Sequence, residues 1–177
     1  MRTIKLCRGL GIEGKSHCVM AATSIVAGEN FTDRPKCVSP VITGCLISLN
    51  DVIVGDNVRE RLLSHLPWVI IGTNDNKVST ESKRLTLLME YLDNSYGLSR
   101  ELKSSVDNLL CSISMYKFLT NIGEKFYKRA RNISWQYHVR NNSRSESFAK
   151  FIEEGLVPVY SSMPIEPGYN SEKLITL

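Results

Sequence analysis

The sequence holds no apolar run near the roughly 18 residues that a membrane-spanning helix needs, so a transmembrane helix is excluded. Cysteine is sparse and odd in number. Cys7, Cys18, Cys37, Cys45 and Cys111 form no C-x-x-C pair, which argues against a disulfide framework or a zinc ribbon. A zinc site from His17, Cys18, Cys37 and Cys45 is disfavoured too, because neighbouring residues on a helix point about 100° apart. The residues Met1 to Arg8 lack the apolar core of a signal peptide, and the expectation is a cytoplasmic protein with reduced thiols. Only three histidines are present, and neither His65 nor His138 stands at a spacing that implies a nucleophile beside it. No catalytic residue is assigned. Cys18, in the first turn of an expected helix, is the strongest thiol candidate, with His17, His65 or His138 as a base. The bland reading of such cysteines is small buried hydrophobes.

What the chain does have is ordinary globular material: 177 residues, 42% hydrophobic and 23% charged, enough to build one core. Apolar positions recur at steps of three and four. Cys18, Ala21, Ala22 and Ile25 mark a helix capped by Ser16 and stopped near Gly28. Ser39-Pro40 is an N-cap with proline at the first helical position, opening a second helix. Val58, Leu62 and Leu66 mark a third; Leu85, Leu88, Met89 and Leu92 a fourth; Leu102, Val106, Leu109 and Ile113 a fifth, capped by Ser99. Trp68 to Ile71 fits a short strand or a helical turn equally. Tyr116 to Val139 reads as one long helix, with Gly123 as a point of kinking. Ser143-Arg144-Ser145-Glu146 is a capping box for a last helix ending at Gly155. The expected fold is mainly α: a single-domain bundle (residues 1–177) of about six or seven helices, little or no sheet, and an irregular tail from about residue 158.

Two stretches carry functional content. Gly9-Leu10-Gly11-Ile12-Glu13-Gly14-Lys15-Ser16 matches the phosphate-loop pattern G-x-x-x-x-G-K-[ST]. On that reading Gly9 and Gly14 free the backbone for a phosphate, Lys15 supplies charge and Ser16 holds magnesium. The chain would then be an NTPase or phosphotransferase using ATP or GTP. Such a loop needs a parallel sheet and a second strand ending in a carboxylate. Here the carboxylate candidates, Asp51, Asp56 and Asp75, follow segments that look helical or irregular. The alternative is a glycine-rich connection with Lys15 in solvent.

The second stretch is Tyr116 to Lys150. Lys117, Lys125, Lys128, Arg129, Arg131, Arg140, Arg144 and Lys150 face only Glu124 and Glu146, a local excess of six positive charges in a chain whose net charge is +4. Phe126, Tyr127, Trp135 and Tyr137 lie among them. A basic helix with interleaved aromatics fits an acidic protein surface, a protein–nucleic-acid complex, or nucleic acid directly. It also fits a solvated face whose aromatics fill the core. The partner-binding candidates are Lys117, Lys125, Lys128, Arg129, Arg131, Trp135, Arg140 and Arg144.

At Cys18-Val19-Met20-Ala21, Ala27-Gly28-Glu29, Asp33-Arg34-Pro35-Lys36-Cys37-Val38-Ser39-Pro40-Val41, Asn50-Asp51 and Ile71-Gly72-Thr73 the chain resembles an uncharacterised family of bacterial and phage proteins. That family carries a run C-x-M…A-G…D-x-P-x-C-V-x-P ahead of its helices. The resemblance spans about residues 17–73 and brings no activity, cofactor or catalytic residue with it. It implies a phage-type effector that regulates or inhibits a host complex by binding, and it makes the Cys18 to Pro40 segment the organising motif. The leading expectation is thus a non-enzymatic, cytoplasmic binding protein. Nucleotide binding and direct nucleic-acid binding stand as alternatives.

Overall fold

A computed structural model describes residues 4–115, 121–138 and 145–160. A short hairpin, β1 (Gly11–Ile12) and β2 (Ser16–His17), precedes α1 (Val19–Val26), α2 (Pro40–Val52), α3 (Asp56–Leu63), α4 (Leu66–Val69), α5 (Val78–Tyr96), α6 (Arg100–Met115), α7 (Ile122–His138) and α8 (Ser145–Phe151). A π-helical turn (Ile152–Leu156) and a 3-10 turn (Val157–Tyr160) follow α8. The fold is mainly α, with one antiparallel two-stranded sheet among the described residues.

Helix α2 lies at the centre because its sequence is apolar or small nearly all the way round. Every residue from Val41 to Asn50 is buried, as expected of a helix with neighbours on all sides. Ser39 Oγ accepts the Ile42 N–H at 3.3 Å, and Pro40 spends no donor at the first helical position. Glu81 of α5 reaches into the same end: its Oε2 accepts Ser39 Oγ–H at 2.8 Å and Val41 N–H at 3.0 Å. The buried carboxylate is balanced by Arg84, whose Nη1 lies 2.6 Å from Glu81 Oε1 and also donates to the Thr73 carbonyl. Arg84 Nε donates to the Leu156 carbonyl at 3.1 Å. One charged network therefore ties α2, α5 and the C-terminal turns together. Removing either charge would strand the other in the core.

The pairing that positions the basic helix is α2 against α7. Gly44 makes it work: a Cβ there would sit 2.6 Å from the Tyr127 carbonyl oxygen and 2.9 Å from the Arg131 nitrogen, so the backbones meet where no side chain fits. Ser48 Oγ donates across the junction to the Arg131 carbonyl at 2.9 Å, and Ser134 contacts Cys45 Sγ at 3.6 Å. Phe126, Ala130 and Ile133 complete the apolar side of α7.

Several expectations are corrected in detail. Helix α1 starts at Val19, not after Ser16, because the Cys18 thiol caps it by accepting the Ala21 N–H at 3.2 Å. Leu66 to Val69 is a helical turn, opened by Pro67, which settles the choice left at Trp68 to Ile71. The expected helix from Tyr116 to Val139 is not continuous. Asn121 has φ 57°, a left-handed conformation that a right-handed helix cannot pass through, and α7 begins after it. The irregular tail expected from about residue 158 lies, from residue 161 on, outside the described residues.

Candidate functional site

Helix α7 divides its residues by the 3.6-residue period. Phe126, Tyr127, Ala130, Ile133 and Ser134 are buried, whereas Lys125, Lys128, Arg131 and Trp135 are exposed and Arg129 is half-buried. Four of the predicted cations thus share the outward side with Trp135, an indole left 38% exposed on a helix whose other face is tightly packed. The predicted candidates Lys117, Arg140 and Arg144 lie outside the described residues.

Two side chains of this face, Lys128 and Arg131, have partners on their own helix. Glu124 accepts from Arg34 Nη1 at 2.9 Å and lies 3.4 Å from Lys128 Nζ. The Arg34 guanidinium sits 4.1 Å over the Tyr127 ring, a cation–π contact, and Arg131 Nη1 donates to the Tyr127 hydroxyl at 3.2 Å. Arg34 comes from the loop before α2 and was not among the predicted site residues. Its charge was legible, but nothing in a single sequence brings residue 34 to residue 124. Between this loop and α7 lies an open cleft of about 190 Å³ walled by Arg34, Lys36, Pro40, Thr43, Gly123 and Tyr127. Loop geometry is fixed by Glu29, whose carboxylate accepts the Lys36 and Cys37 N–H groups at 2.7 and 2.9 Å.

Gly9 to Ser16 has a different architecture from a phosphate loop. It is the hairpin, with Lys15 N–H bonded to the Ile12 carbonyl at 3.0 Å and Gly14 at φ 77°, as a type II turn requires. Gly11 is needed for the close strand contact, since a Cβ would meet the Ser16 carbonyl at 2.1 Å. Amides of the loop and its exit are engaged internally: Gly9 N–H by Asp51 at 3.2 Å, Lys15 N–H by the Ile12 carbonyl, and His17 N–H by the Lys5 carbonyl at 3.2 Å. Asp51, Asp56 and Asp75, the magnesium-ligand candidates, are bonded to Gly9 N–H, Arg59, and Lys77 N–H with the Thr80 hydroxyl respectively. Among the described residues no parallel sheet supports the stretch, so Gly9, Gly14, Lys15 and Ser16 lack the setting in which the nucleotide reading has a mechanism.

Nor does the chemistry at cysteine and histidine favour catalysis. Burial pushes the Cys18 thiol up to about 11, and burial pushes Cys37 and Cys45 up to about 12, with the Glu29 carboxylate adding to the effect at Cys37. The expectation of a thiol activated by its helix terminus is therefore reversed at Cys18: loss of water outweighs the amide bonds. Burial also lowers the pKa of His17, which packs edge-on to Phe31 at 5.7 Å between ring centres. His65 Nε2 lies 3.1 Å from Glu153, fastening the α3–α4 corner to the π turn. Among the described residues no three His, Cys, Asp or Glu side chains gather as a metal site requires. No helix among them is long and apolar enough to cross a membrane.

Comparison with known protein families, with curated proteins and with solved structures finds no match for the chain.

Proposed function

We propose that this chain is a non-enzymatic binding protein that regulates or inhibits a host protein or protein–nucleic-acid complex, docking through the outward face of α7 onto an anionic surface. The observation that carries the reading is the grouping of Lys125, Lys128, Arg129 and Arg131 around half-exposed Trp135 on a helix locked from behind at Gly44. A rigid helix offers these groups at little ordering cost, and tryptophan and arginine are the side chains that most often dominate binding energy. Glu124, the one acid of α7, is already shared between Arg34 and Lys128, so the face keeps its positive character. The resemblance of residues 17–73 to phage and bacterial proteins is the ground for seeking the partner in a bacterial host.

The test is retention of cytoplasmic material from a bacterial lysate, with and without nuclease treatment, by the immobilised chain and by a variant with Lys125, Lys128, Arg129 and Arg131 all changed to glutamate. Partners retained by the parent and lost by the variant, with its helical circular dichroism intact, are the expected result. Equal retention by a folded variant overturns the reading. If the retained species is nucleic acid, log affinity falls linearly with log salt, by about 0.9 per duplex phosphate contacted.

A further inference from the structure

The cleft beside α7 has a more specific role, one that rests on the docking reading above. Its volume of about 190 Å³ falls below the roughly 300–1,000 Å³ of small-molecule sites, so it suits one inserted side chain rather than a nucleotide. Pro35, Pro40 and Tyr127 give it apolar walls, while Arg34 and Lys36 stand on the loop side. Lys36 is exposed and makes no ion pair among the described residues. Arg34 is 48% exposed and already grips a carboxylate: Glu124 Oε2 at 2.9 Å, with Lys128 on the other oxygen at 3.4 Å. Both acid and guanidinium can be reached from solvent, Glu124 being 37% exposed. Two cations, Arg34 from the loop and Lys128 from α7, thus hold a carboxylate in the free chain, and Lys36 lines the same cleft as Arg34 and Glu124.

We infer that this cleft receives a glutamate or aspartate side chain from the acidic protein partner, seated between Lys36 and Arg34 with its stem on Tyr127 and Pro40, and that Glu124 is its internal competitor. A glutamate stem matches the proline and tyrosine walls, and its single carboxylate matches the cations at the rim. A nucleic-acid strand is a continuous polyanion that runs along α7 without entering so small a space. The Glu124 contacts are partly solvent-exposed and therefore weak enough to exchange.

The inference gives a signed test, because neutralising the internal competitor must strengthen binding. Anisotropy of a fluorescein-labelled oligoglutamate peptide is measured with the full chain at low salt. The Glu124→Gln variant binds about fivefold tighter, the scale of one exposed ion pair, whereas Glu154→Gln, an equal charge change elsewhere, stays within about twofold. Gly123→Leu places a side chain against Pro40, whose Cγ would lie 3.5 Å from the new Cβ, and fills the cleft. It weakens the peptide by about tenfold, as does Lys36→Glu, while circular dichroism is unchanged. Oligothymidylate binding to Gly123→Leu stays at the parent level. The inference is overturned if Glu124→Gln is no tighter than Glu154→Gln, or if Gly123→Leu and Lys36→Glu bind the peptide as the parent does. It is also overturned if the parent ignores the peptide, or if Gly123→Leu loses oligothymidylate equally, which would assign the cleft to nucleic acid. Each of these leaves the α7 docking face standing, since that is judged by retention of its partner and by the fourfold charge reversal.

Discussion

Changing Gly44 to alanine adds one methyl group at the tightest point of the α2–α7 junction, 2.6 Å from the Tyr127 carbonyl oxygen and 2.9 Å from the Arg131 nitrogen. Non-bonded carbon contacts are comfortable near about 3.5–4.0 Å, so α7 must retreat by roughly half to one ångström. Both obstructing atoms belong to helix backbone, which cannot rotate aside. Overpacking of this kind costs about 1–3 kcal/mol, and a strained Ser48 to Arg131 hydrogen bond adds about 1 kcal/mol. The better helix propensity of alanine returns about 1 kcal/mol. The net expectation is a loss of about 1–3 kcal/mol, read in urea unfolding as a midpoint lower by about 0.5–1.5 M at a slope near 2 kcal/mol/M. Gly123→Ala is the matched comparison. Its Cβ meets only Pro40 Cγ, at 3.5 Å, so propensity acts alone and stability rises by about 0.5–1 kcal/mol. If Gly44→Ala were as stable as the parent, the close crossing would not be what fixes α7, and the rigid-face argument would lose its foundation.

Iodoacetamide on the folded protein near neutral pH should modify exposed Cys111 while sparing Cys18, Cys37 and Cys45, whose raised pKa values leave almost no thiolate; rapid labelling of Cys18 in peptide mass spectra would contradict the capping role. The Asp93 carboxyl is held below its ordinary pKa by its hydrogen bond to Lys103 and by the Leu98 N–H. Its contribution is present above the unfolded-state pKa and is lost as pH falls through the depressed folded value, so Asp93→Asn should flatten the acid limb of the stability–pH curve. A parallel curve would refute that. Lys15→Ala should leave stability unchanged, and calorimetry with magnesium and ATP or GTP should be silent for parent and variant alike; micromolar binding lost on the substitution would restore the nucleotide reading.

Much of the helical framework is legible in the sequence because period and caps agree: Ser39-Pro40 opens α2 where expected, and the Leu85, Leu88, Leu92 stripe is the buried side of α5. The misreadings arise where local chemistry has equal alternatives. Cys18 competes with Ser16 as a cap, and sulfur is the less obvious acceptor. Asn121 takes a left-handed conformation that only its surroundings dictate. The glycines of Gly9 to Ser16 serve a hairpin as readily as a phosphate loop, and the choice between them depends on partners outside the stretch, such as Asp51, distant in sequence, which accepts the Gly9 N–H. On α7 the division into apolar and basic sides follows from periodicity, whereas the cleft does not. It exists because Gly44 lets two helices touch and brings the Arg34 to Lys36 loop to Glu124 and Tyr127, contacts at long separation that no local pattern encodes.

The central claim, that the outward face of α7 is the docking surface, is tested most directly at Trp135. The chain has two tryptophans, and Trp68 is 39% exposed, so Trp68→Phe leaves one reporter in the middle of the basic face without disturbing the core. Acrylamide quenching of that single-tryptophan protein is then measured alone and with the material that the immobilised chain retains. The account predicts that Trp135 is readily quenched in the free protein and protected in the complex, with protection absent when the four α7 cations are reversed. A complex that forms while Trp135 stays as accessible as before would contradict it.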